Sequence, residues 1–390
     1  MNSGTPGQSP TAGGKRIHWM DNLRTAIILL VVLYHVGGVY EAADLWGWFW
    51  IVDDPATITW VGIVGIVFDI VVMPAMFFVA GYFTPASLKH RTGWAFVKER
   101  FKRLMIPWGI AVLTLIPLYK VIFLYSRNLP QESWTTYFHV TNPNSQNWLW
   151  FLPVLFAFDV LYLVLSKAGL RMPAISLKGA VWGILLVGCV YSYAIGGLLG
   201  FRSWTLTPLI DFENERLLLY FMTFLLGVLC FRQKVFAERP AGRKLYTVAS
   251  SVAWIPITAH ILARLFPFFY PEGFIATPPY RLIWWLSFYL ALLCLLYVTI
   301  ESFRRYFDRT SRLARELSRN SYGVYIIHVI VIGVFGTLLL NAPVPAVVKY
   351  LALIVSTYSV SNVVVSGYRF LLKTPKAGSG EFISQAASRA

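Results

Sequence analysis

Charged residues and cysteines are both scarce in this sequence. Asp, Glu, Lys and Arg make up 13% of the 390 residues, well below the roughly 25% that is usual in soluble domains. The composition therefore excludes an ordinary water-soluble fold. The three cysteines all lie within hydrophobic runs, at Cys189, Cys230 and Cys294. The sequence thus indicates neither a disulfide framework nor a metal site.

Hydrophobic residues make up 57% of the chain, and its mean hydropathy is +0.60. Ten apolar runs are long enough, at about 17 to 25 residues, to cross a bilayer as helices. They lie at 21–41, 60–83, 104–125, 147–166, 179–198, 214–231, 245–265, 280–301, 321–340 and 345–370. We predict an all-α polytopic membrane protein with about ten transmembrane helices in a single domain, 18–372. Residues 1–17 and 373–390 read as disordered tails, and the first helix as retained, not as a signal peptide.

The basic residues are distributed unevenly between the two sides of the predicted bundle. The net charge is +16, and 26 of the 34 Lys and Arg residues fall on the side of the two termini when loops are assigned alternately. By the positive-inside rule both termini are cytoplasmic. This pattern explains the excess charge by membrane topology and argues against a nucleic-acid partner.

The first hydrophobic run carries two polar residues on one face. Arg24 and His35 are eleven positions apart, close to three helical turns, so their side chains leave the same stripe roughly 16 Å apart. A cation and an imidazole are costly within a bilayer and usually face a bundle interior or a water-filled cavity. The pair therefore indicates a functional site.

Further polar residues accompany the second span and the first outer loop. Asp69 and Asp159 fall inside spans 2 and 4, and each is predicted to be protonated or paired with an arginine or histidine of a neighbouring helix. For Asp69 a functional role is the alternative to such pairing. Glu41 and Trp46 belong to an outer loop rich in acidic residues and tryptophan. This loop suits either a hydroxyl-rich ligand or an interfacial aromatic belt.

Two patterns on the predicted cytoplasmic side suit a ligand that carries phosphate. Arg100 and Arg103 are one helical turn apart in the second inner loop and can point at a single anion. Lipid headgroups or topogenic charge are the alternative reading. Ser321, Tyr325 and His328 form one polar stripe at the start of span 9. This stripe reads either as helix–helix contact or as the wall of a passage.

Several of these motifs resemble the membrane acyltransferase 3 family, most closely its glucan succinyltransferase branch (glucans biosynthesis protein C). The matching pieces occur in family order and cover most of the chain. They are Arg24 with His35, Met76-Phe77-Phe78-Val79-Ala80-Gly81-Tyr82-Phe83, the run from Phe96 to Pro107 with Arg100 and Arg103, Trp148-Leu149-Trp150-Phe151-Leu152, and Ser321-Tyr322-Gly323-Val324-Tyr325-Ile326-Ile327-His328.

The resemblance implies a ten-helix enzyme of the bacterial cytoplasmic membrane that needs no cofactor. It takes an acyl group from cytoplasmic acyl-CoA and delivers it to a hydroxyl of an extracytoplasmic carbohydrate or glycoside. His35 corresponds to the essential histidine of the family and Arg24 to its partner. Arg100 and Arg103 fall where the donor binds.

The residues and the resemblance together lead to a division of roles. A thioester is already electrophilic, so the missing component is a base for the alcohol, and a neutral imidazole suits that task. His35 is predicted to act as this base, or as a nucleophile that carries the acyl group. The route of the pantetheine arm is assigned to Ser321, Tyr325 and His328. The acceptor side is assigned to Glu41, Trp46, Asp69 and Trp150.

Other functions and details stay open at this point. A proton-coupled transporter or flippase for a small anionic or sugar substrate also fits ten helices with intramembrane His and Asp. A passive scaffold leaves Arg24 and His35 without an explanation. The sequence does not choose between an acetyl and a succinyl group, and it does not name the acceptor.

Overall fold

The computed structural model describes residues 17–42, 50–133, 135–136, 146–168, 175–237, 242–270 and 277–372. Trp46 and the two predicted tails, apart from residue 17, lie outside these ranges. The predictions made for them therefore stay predictions.

The described chain contains ten helical segments that are long and apolar enough to cross a membrane. They are His18–Val39, Thr59–Lys89, Gly93–Ser126, Asn147–Lys167, Leu177–Leu198, Asn214–Arg232, Lys244–Phe269, Pro278–Tyr306, Arg312–Leu339 and Ala346–Leu371. Each of them overlaps one predicted span. The all-α membrane fold is thus confirmed, and it follows from apolar runs of bilayer length that satisfy their backbone hydrogen bonds internally.

Several segments are interrupted, so the elements outnumber the spans. The helices are α1 (His18–Val39), α2 (Thr59–Lys89), α3 (Gly93–Arg100), α4 (Ile106–Ser126), α5 (Phe151–Lys167), α6 (Leu177–Gly183), α7 (Cys189–Leu198), α8 (Leu217–Arg232), α9 (Lys244–Val252), α10 (Trp254–Phe269), α11 (Pro278–Tyr306), α12 (Arg312–Leu339) and α13 (Ala346–Leu371). A π-helical turn, Phe101–Met105, joins α3 to α4, and another, Ile184–Gly188, joins α6 to α7. Two short strands, β1 (Trp204–Thr205) and β2 (Phe212–Glu213), form an antiparallel hairpin between α7 and α8.

Helices α1, α2, α8 and α12 pack in series: α8 contacts α2, α2 contacts α1, and α1 contacts α12. Helices α2 and α8 cross so closely that a Cβ atom on Gly81 would lie 2.0 Å from the Phe224 carbonyl oxygen, and one on Gly227 would lie 2.1 Å from that of Phe78. Small residues are the usual means of close helix packing in membranes, where burial of apolar surface from water does not drive association. Helix α1 packs against both α2 and α12, so the polar residues of α1 face the middle of the bundle.

Both ends of the described chain lie at one end of the bundle, beside the start of α12. The backbone N–H of Trp19 donates to Asp308 Oδ1 at 3.3 Å, and Arg369 donates to Glu316 Oε1 at 2.7 Å. We call this end the basic face, because the last turns of α2 and α11 and the residues that follow them lie there, and they carry Lys89, Arg91, Arg304, Arg305 and Arg309. The other end, which carries the β1–β2 hairpin, is the opposite face.

Candidate active site

Two cavities approach each other from the two faces of the bundle. The cavity nearer the opposite face, which we call the histidine cavity, has a volume of about 100 Å³ and is lined by His35, Trp50 and Asp69 among others. The cavity nearer the basic face, the arginine cavity, has a volume of about 440 Å³ and is lined by four arginines. Tyr325 lines both cavities. Tyr325 therefore lies between the predicted donor-side arginines and His35: Arg24, Arg100 and Arg103 line one cavity, and His35 lines the other.

His35 is the imidazole that lines the histidine cavity. Its Nδ1 atom lies 2.8 Å from the carbonyl oxygen of Val31, one turn earlier in α1. A carbonyl oxygen only accepts hydrogen bonds, so the network assigns the proton of the neutral ring to Nδ1 and the lone pair to Nε2. The side chain is half-buried. His35 can therefore act as a proton acceptor or as a nucleophile through Nε2.

A second histidine lies against the first. His328 Nε2 is 3.3 Å from His35 Nδ1, and His328 Nδ1 lies 2.7 Å from the carbonyl oxygen of Tyr325. The same reasoning places the His328 proton on Nδ1, which leaves Nε2 as an acceptor facing the N–H of His35. His328 is fully buried and lines neither cavity. His328 therefore contacts His35 from outside the two cavities.

Tyr325 separates the two cavities. Its hydroxyl donates a hydrogen bond to the carbonyl oxygen of Trp148, and Trp148 Nε1 donates to the carbonyl oxygen of Ile326 at 3.0 Å. These two bonds join the start of the fourth span to α12. The predicted stripe thus runs from one cavity to the other: Ser321 lines the arginine cavity, Tyr325 lies between the cavities, and His328 contacts His35.

Arg24 lines the arginine cavity, at the other end of α1 from His35. Its Nη2 atom donates to the carbonyl oxygen and to the hydroxyl of Ser318, both at 3.0 Å, and lies 3.5 Å from Asp21 Oδ1. The expectation that Arg24 and His35 both face the interior of the bundle is therefore confirmed. They belong to different cavities, so they serve different parts of the site.

Arg100 and Arg103 both line the arginine cavity, but their surroundings differ. Arg100 Nε lies 3.3 Å from Asp159 Oδ2, and its side chain is 11% exposed. Arg103 is 58% exposed and its nearest carboxylate, that of Glu99, is 3.9 Å away. The π-helical turn begins immediately after Arg100 and alters the spacing of an ordinary helix. Arg100 is thus committed to a buried carboxylate, whereas Arg103 is available to a ligand.

The charges of the arginine cavity are predominantly positive. Among the described residues that line it, four are arginines and two are acidic, namely Arg24, Arg100, Arg103, Arg319, Asp21 and Asp159. Asp159 also accepts a hydrogen bond of 2.8 Å from Thr84 Oγ1, as predicted for a paired carboxylate within a span. A cavity with surplus guanidinium groups suits a ligand with several phosphates.

Two of the predicted acceptor-side residues line the histidine cavity and one does not. Asp69 and Trp150 line it. Glu41 does not line it. This residue instead pairs with Ile58 through an isolated parallel β-bridge. Asp69 is paired in a bidentate manner with Arg216, whose Nη1 and Nη2 atoms are 2.9 and 2.8 Å from the two carboxylate oxygens. The predicted pairing with an arginine of a neighbouring helix is therefore confirmed.

Several residues of the histidine cavity were not predicted from the sequence. Glu213 Oε2 lies 3.3 Å from Arg216 Nε, so that one guanidinium faces two carboxylates. The pKa of the Glu213 carboxyl is raised, mainly by burial and also by the neighbouring carboxylate of Asp69. The guanidinium groups of Arg216, Arg202 and Arg264 oppose this rise. Trp204 lies opposite Glu213 in the hairpin. In the sequence, the only indication that Trp204 belongs to a site is that it is an aromatic residue between two spans.

Trp50 is a further residue of this cavity, and it packs beside His35. The two ring centroids are 5.9 Å apart. A Cβ atom on Gly38 would lie 2.0 Å from the Trp50 ring, so only glycine at this position lets the indole lie against α1. Among the described residues, no group of three or more His, Cys, Asp or Glu side chains could hold a metal ion.

The chain was compared with protein families, curated proteins and solved structures. The model of the acyltransferase 3 family, described as an acyltransferase domain, matches residues 17–365. No curated protein and no solved structure matches. The family match covers all ten membrane-spanning segments except the end of the last, and it contains both cavities. The chain therefore belongs to the acyltransferase 3 family of membrane acyltransferases.

Proposed function

We propose that the protein is a membrane O-acyltransferase that moves an acetyl or succinyl group from cytoplasmic acyl-CoA to a hydroxyl of an extracytoplasmic carbohydrate or glycoside, with His35 as the base. The observation that carries this proposal is the arrangement of the two cavities. A cationic cavity and an aromatic cavity approach each other from opposite faces, and His35 lines the second of them close to the tyrosine that they share.

The arginine cavity is the proposed donor site. Coenzyme A carries several phosphates, and guanidinium groups bind phosphate through paired, charge-assisted hydrogen bonds. Arg103, which is mostly exposed, is the proposed first contact for the nucleotide end. Arg24, deeper along α1, contacts the donor nearer its thioester. Ser321 and Tyr325 line the path between this cavity and His35.

The histidine cavity is the proposed acceptor site, and the reaction takes place at its boundary. His35 Nε2 removes the proton of the acceptor hydroxyl while the hydroxyl oxygen forms a bond to the thioester carbonyl carbon. When the C–S bond breaks, the proton passes from the imidazolium to the departing thiolate. The alternative in which Nε2 itself attacks the carbonyl and carries the acyl group uses the same lone pair.

His328 supports the charged form of His35 in either route. As His35 becomes an imidazolium, its Nδ1–H remains bonded to the Val31 carbonyl oxygen and faces the Nε2 lone pair of His328. A base that is held by a second group keeps its reactive atom oriented towards the substrate. His328 is thus a positioning residue, and because it lines neither cavity it takes no part in the proposed donor path, in contrast to the prediction from the sequence.

Tyr325 must move for the two substrates to meet. The hydrogen bond from its hydroxyl to the Trp148 carbonyl oxygen holds the ring at the wall that both cavities share. We propose that rotation of this side chain opens the path for the acyl end of the donor. Tyr325→Phe would remove this hydrogen bond and keep the aromatic ring, so the variant isolates the effect of the bond.

The orientation of the protein and its position within the family belong to the same proposal. Alternate assignment of the loops gives most Lys and Arg residues to the side of the two termini, and both ends of the described chain lie at the basic face. We therefore place that face in the cytoplasm of a bacterial cell, in its cytoplasmic membrane. Membership of the glucan succinyltransferase branch stays a prediction from the motifs. A transporter or flippase would move its cargo unchanged, so covalent transfer of a labelled acyl group distinguishes it from an enzyme.

The test uses purified protein in nanodiscs with acetyl-CoA and, separately, succinyl-CoA, and water takes the place of the acceptor hydroxyl so that the acyl group is released as the free acid. Release of free coenzyme A is followed for the wild type, His35→Ala and the control His90→Ala, whose histidine is exposed in the loop after α2. A general base contributes about 10²- to 10⁴-fold, so a loss of that size is expected in His35→Ala alone. Equal turnover in all three proteins would contradict the proposal.

A further inference from the structure

We propose that the β1–β2 hairpin forms a specificity site that binds a neutral, hydroxyl-rich ring and rejects one that carries a carboxylate. This inference rests on the proposed function, since it concerns the acceptor of the same reaction. The juxtaposition that carries it is an indole and a carboxylate side by side at the wall of the histidine cavity.

The hairpin contributes one aromatic and one acidic side chain to the cavity. Trp204 on β1 is directly opposite Glu213 on β2, and both line the histidine cavity. The Trp204 ring also meets that of Trp150 edge to face, with 5.7 Å between centroids. Aromatic faces pack against the C–H faces of sugar rings, and carboxylates accept hydrogen bonds from hydroxyls.

The hairpin is held in a fixed position, which a selective site needs. Asn214 joins its two arms: the side-chain amide donates to Ser203 Oγ at 3.0 Å and accepts from Thr205 Oγ1 at 2.5 Å. Gln146, at the start of the fourth span, donates to the Thr207 carbonyl oxygen at 2.8 Å. The hairpin is therefore attached to the helix whose first turn carries Trp150.

The charges of the cavity wall favour hydrogen-bond donors over anions. Among the described residues that line the cavity, two carboxylates, Asp69 and Glu213, stand against one guanidinium, Arg216. That guanidinium is already directed at both carboxylates. Arg202 and Arg264 also act on Glu213 but do not line the cavity. At the wall itself an acceptor carboxylate would meet two carboxylates and one guanidinium that is already engaged, whereas a hydroxyl would find oxygen atoms that accept its proton.

The proposal is tested with a matched pair of probes, methyl glucoside and methyl glucuronide, which differ by a hydroxymethyl and a carboxylate group. Binding to the full chain in nanodiscs at pH 7 is measured by saturation-transfer NMR, without donor. In the wild type we expect the glucoside to bind at least about tenfold more tightly, because like charges oppose the glucuronide. Glu213→Gln is expected to bring the two affinities to within about twofold, mainly by strengthening the glucuronide.

Trp204→Leu removes the indole and is expected to weaken the glucoside by about fivefold or more. The matched controls are Trp182→Leu, whose indole is 60% exposed on α6, and Glu132→Gln, whose carboxylate is exposed near the same face. Both should behave as the wild type. Glu213→Gln is expected to bind the glucuronide more tightly than the wild type does. A folding defect would weaken binding, so it cannot produce this result.

Three outcomes would overturn the proposal. They are equal or tighter binding of the glucuronide by the wild type, glucoside affinity that is unchanged in Trp204→Leu, and no binding of either sugar at high concentration. None of them affects the proposed function itself, because His35-dependent consumption of acyl-CoA is measured without these sugars. Failure of the specificity site and failure of the acyltransferase proposal are therefore distinguishable.

Discussion

Replacing His328 tests how the two adjacent histidines work together. His35 Nδ1 has two neighbouring acceptors, the Val31 carbonyl oxygen at 2.8 Å and His328 Nε2 at 3.3 Å. His328→Ala removes the second and leaves the first. His328→Gln retains an acceptor oxygen at a similar distance from the backbone. The two variants therefore separate the loss of a hydrogen-bond acceptor from the loss of a particular ring.

The size of the effect follows from the geometry. A hydrogen bond to a charged group contributes about 1.5–3 kcal/mol, and 3.3 Å is longer than the 2.7–2.9 Å usual for such bonds. We therefore take the lower value, about 1.5 kcal/mol, which corresponds to about a tenfold loss in kcat. Since His328 does not line the arginine cavity, the KM for acyl-CoA should not change.

The assay is release of coenzyme A from acyl-CoA by protein in nanodiscs, with kcat and KM measured separately. We expect kcat to fall about tenfold in His328→Ala and to recover to within about threefold in His328→Gln. His260→Ala is the control, because this histidine is equally buried but bonds to Ser287 and lines neither cavity. A loss in His328→Ala as large as that in His35→Ala would refute a positioning role, and so would unchanged kcat.

Three further predictions concern the rest of the site and the helix packing. Arg103→Gln should raise the KM for acyl-CoA without lowering thermal stability. Arg100→Gln should cost about 3 kcal/mol of stability, because it removes the ion-pair partner of the buried Asp159 carboxylate. Equal melting temperatures of the two variants would contradict this difference. Gly227→Ala should lower the melting temperature, since its Cβ would lie 2.1 Å from a carbonyl oxygen of α2, whereas Gly109→Ala, which has no neighbour within 4 Å, should not. Exclusion of methyl glucuronide should weaken as the pH falls from 7 towards 5. The pKa of Glu213 is raised, so its carboxylate is protonated, and loses its charge, at a higher pH than usual. Binding measured by NMR that is independent of pH would contradict this assignment.

The fold was largely predictable because membrane helices are encoded locally. A run such as 21–41 identifies a spanning helix without knowledge of its neighbours, since bilayer thickness sets its length. The stripe that joins Arg24 to His35 is also local, because helical periodicity places both on one face. The interruptions are less visible, and the π-helical turn at Phe101–Met105 carries no glycine or proline that would announce it.

The partners of the polar residues could not be predicted because they come from distant parts of the chain. Asp69 meets Arg216, 147 residues later, and His35 meets His328, 293 residues later. Sequence reasoning recognises that a carboxylate in a span needs a partner, but helix packing decides which arginine supplies it. The hairpin around Trp204 has strands of two residues each, too short to give a periodic pattern.

The most direct test of the account is transfer across a sealed membrane. Protein in proteoliposomes is given radiolabelled acyl-CoA outside and methyl glucoside inside, and the label esterified to the sugar in the lumen is measured. We expect labelled sugar with the wild type and with His90→Ala, and a loss of at least about 100-fold with His35→Ala. Labelled sugar at equal levels in all three proteins would contradict the claim that His35 catalyses transfer from a donor cavity on one face to an acceptor cavity on the other.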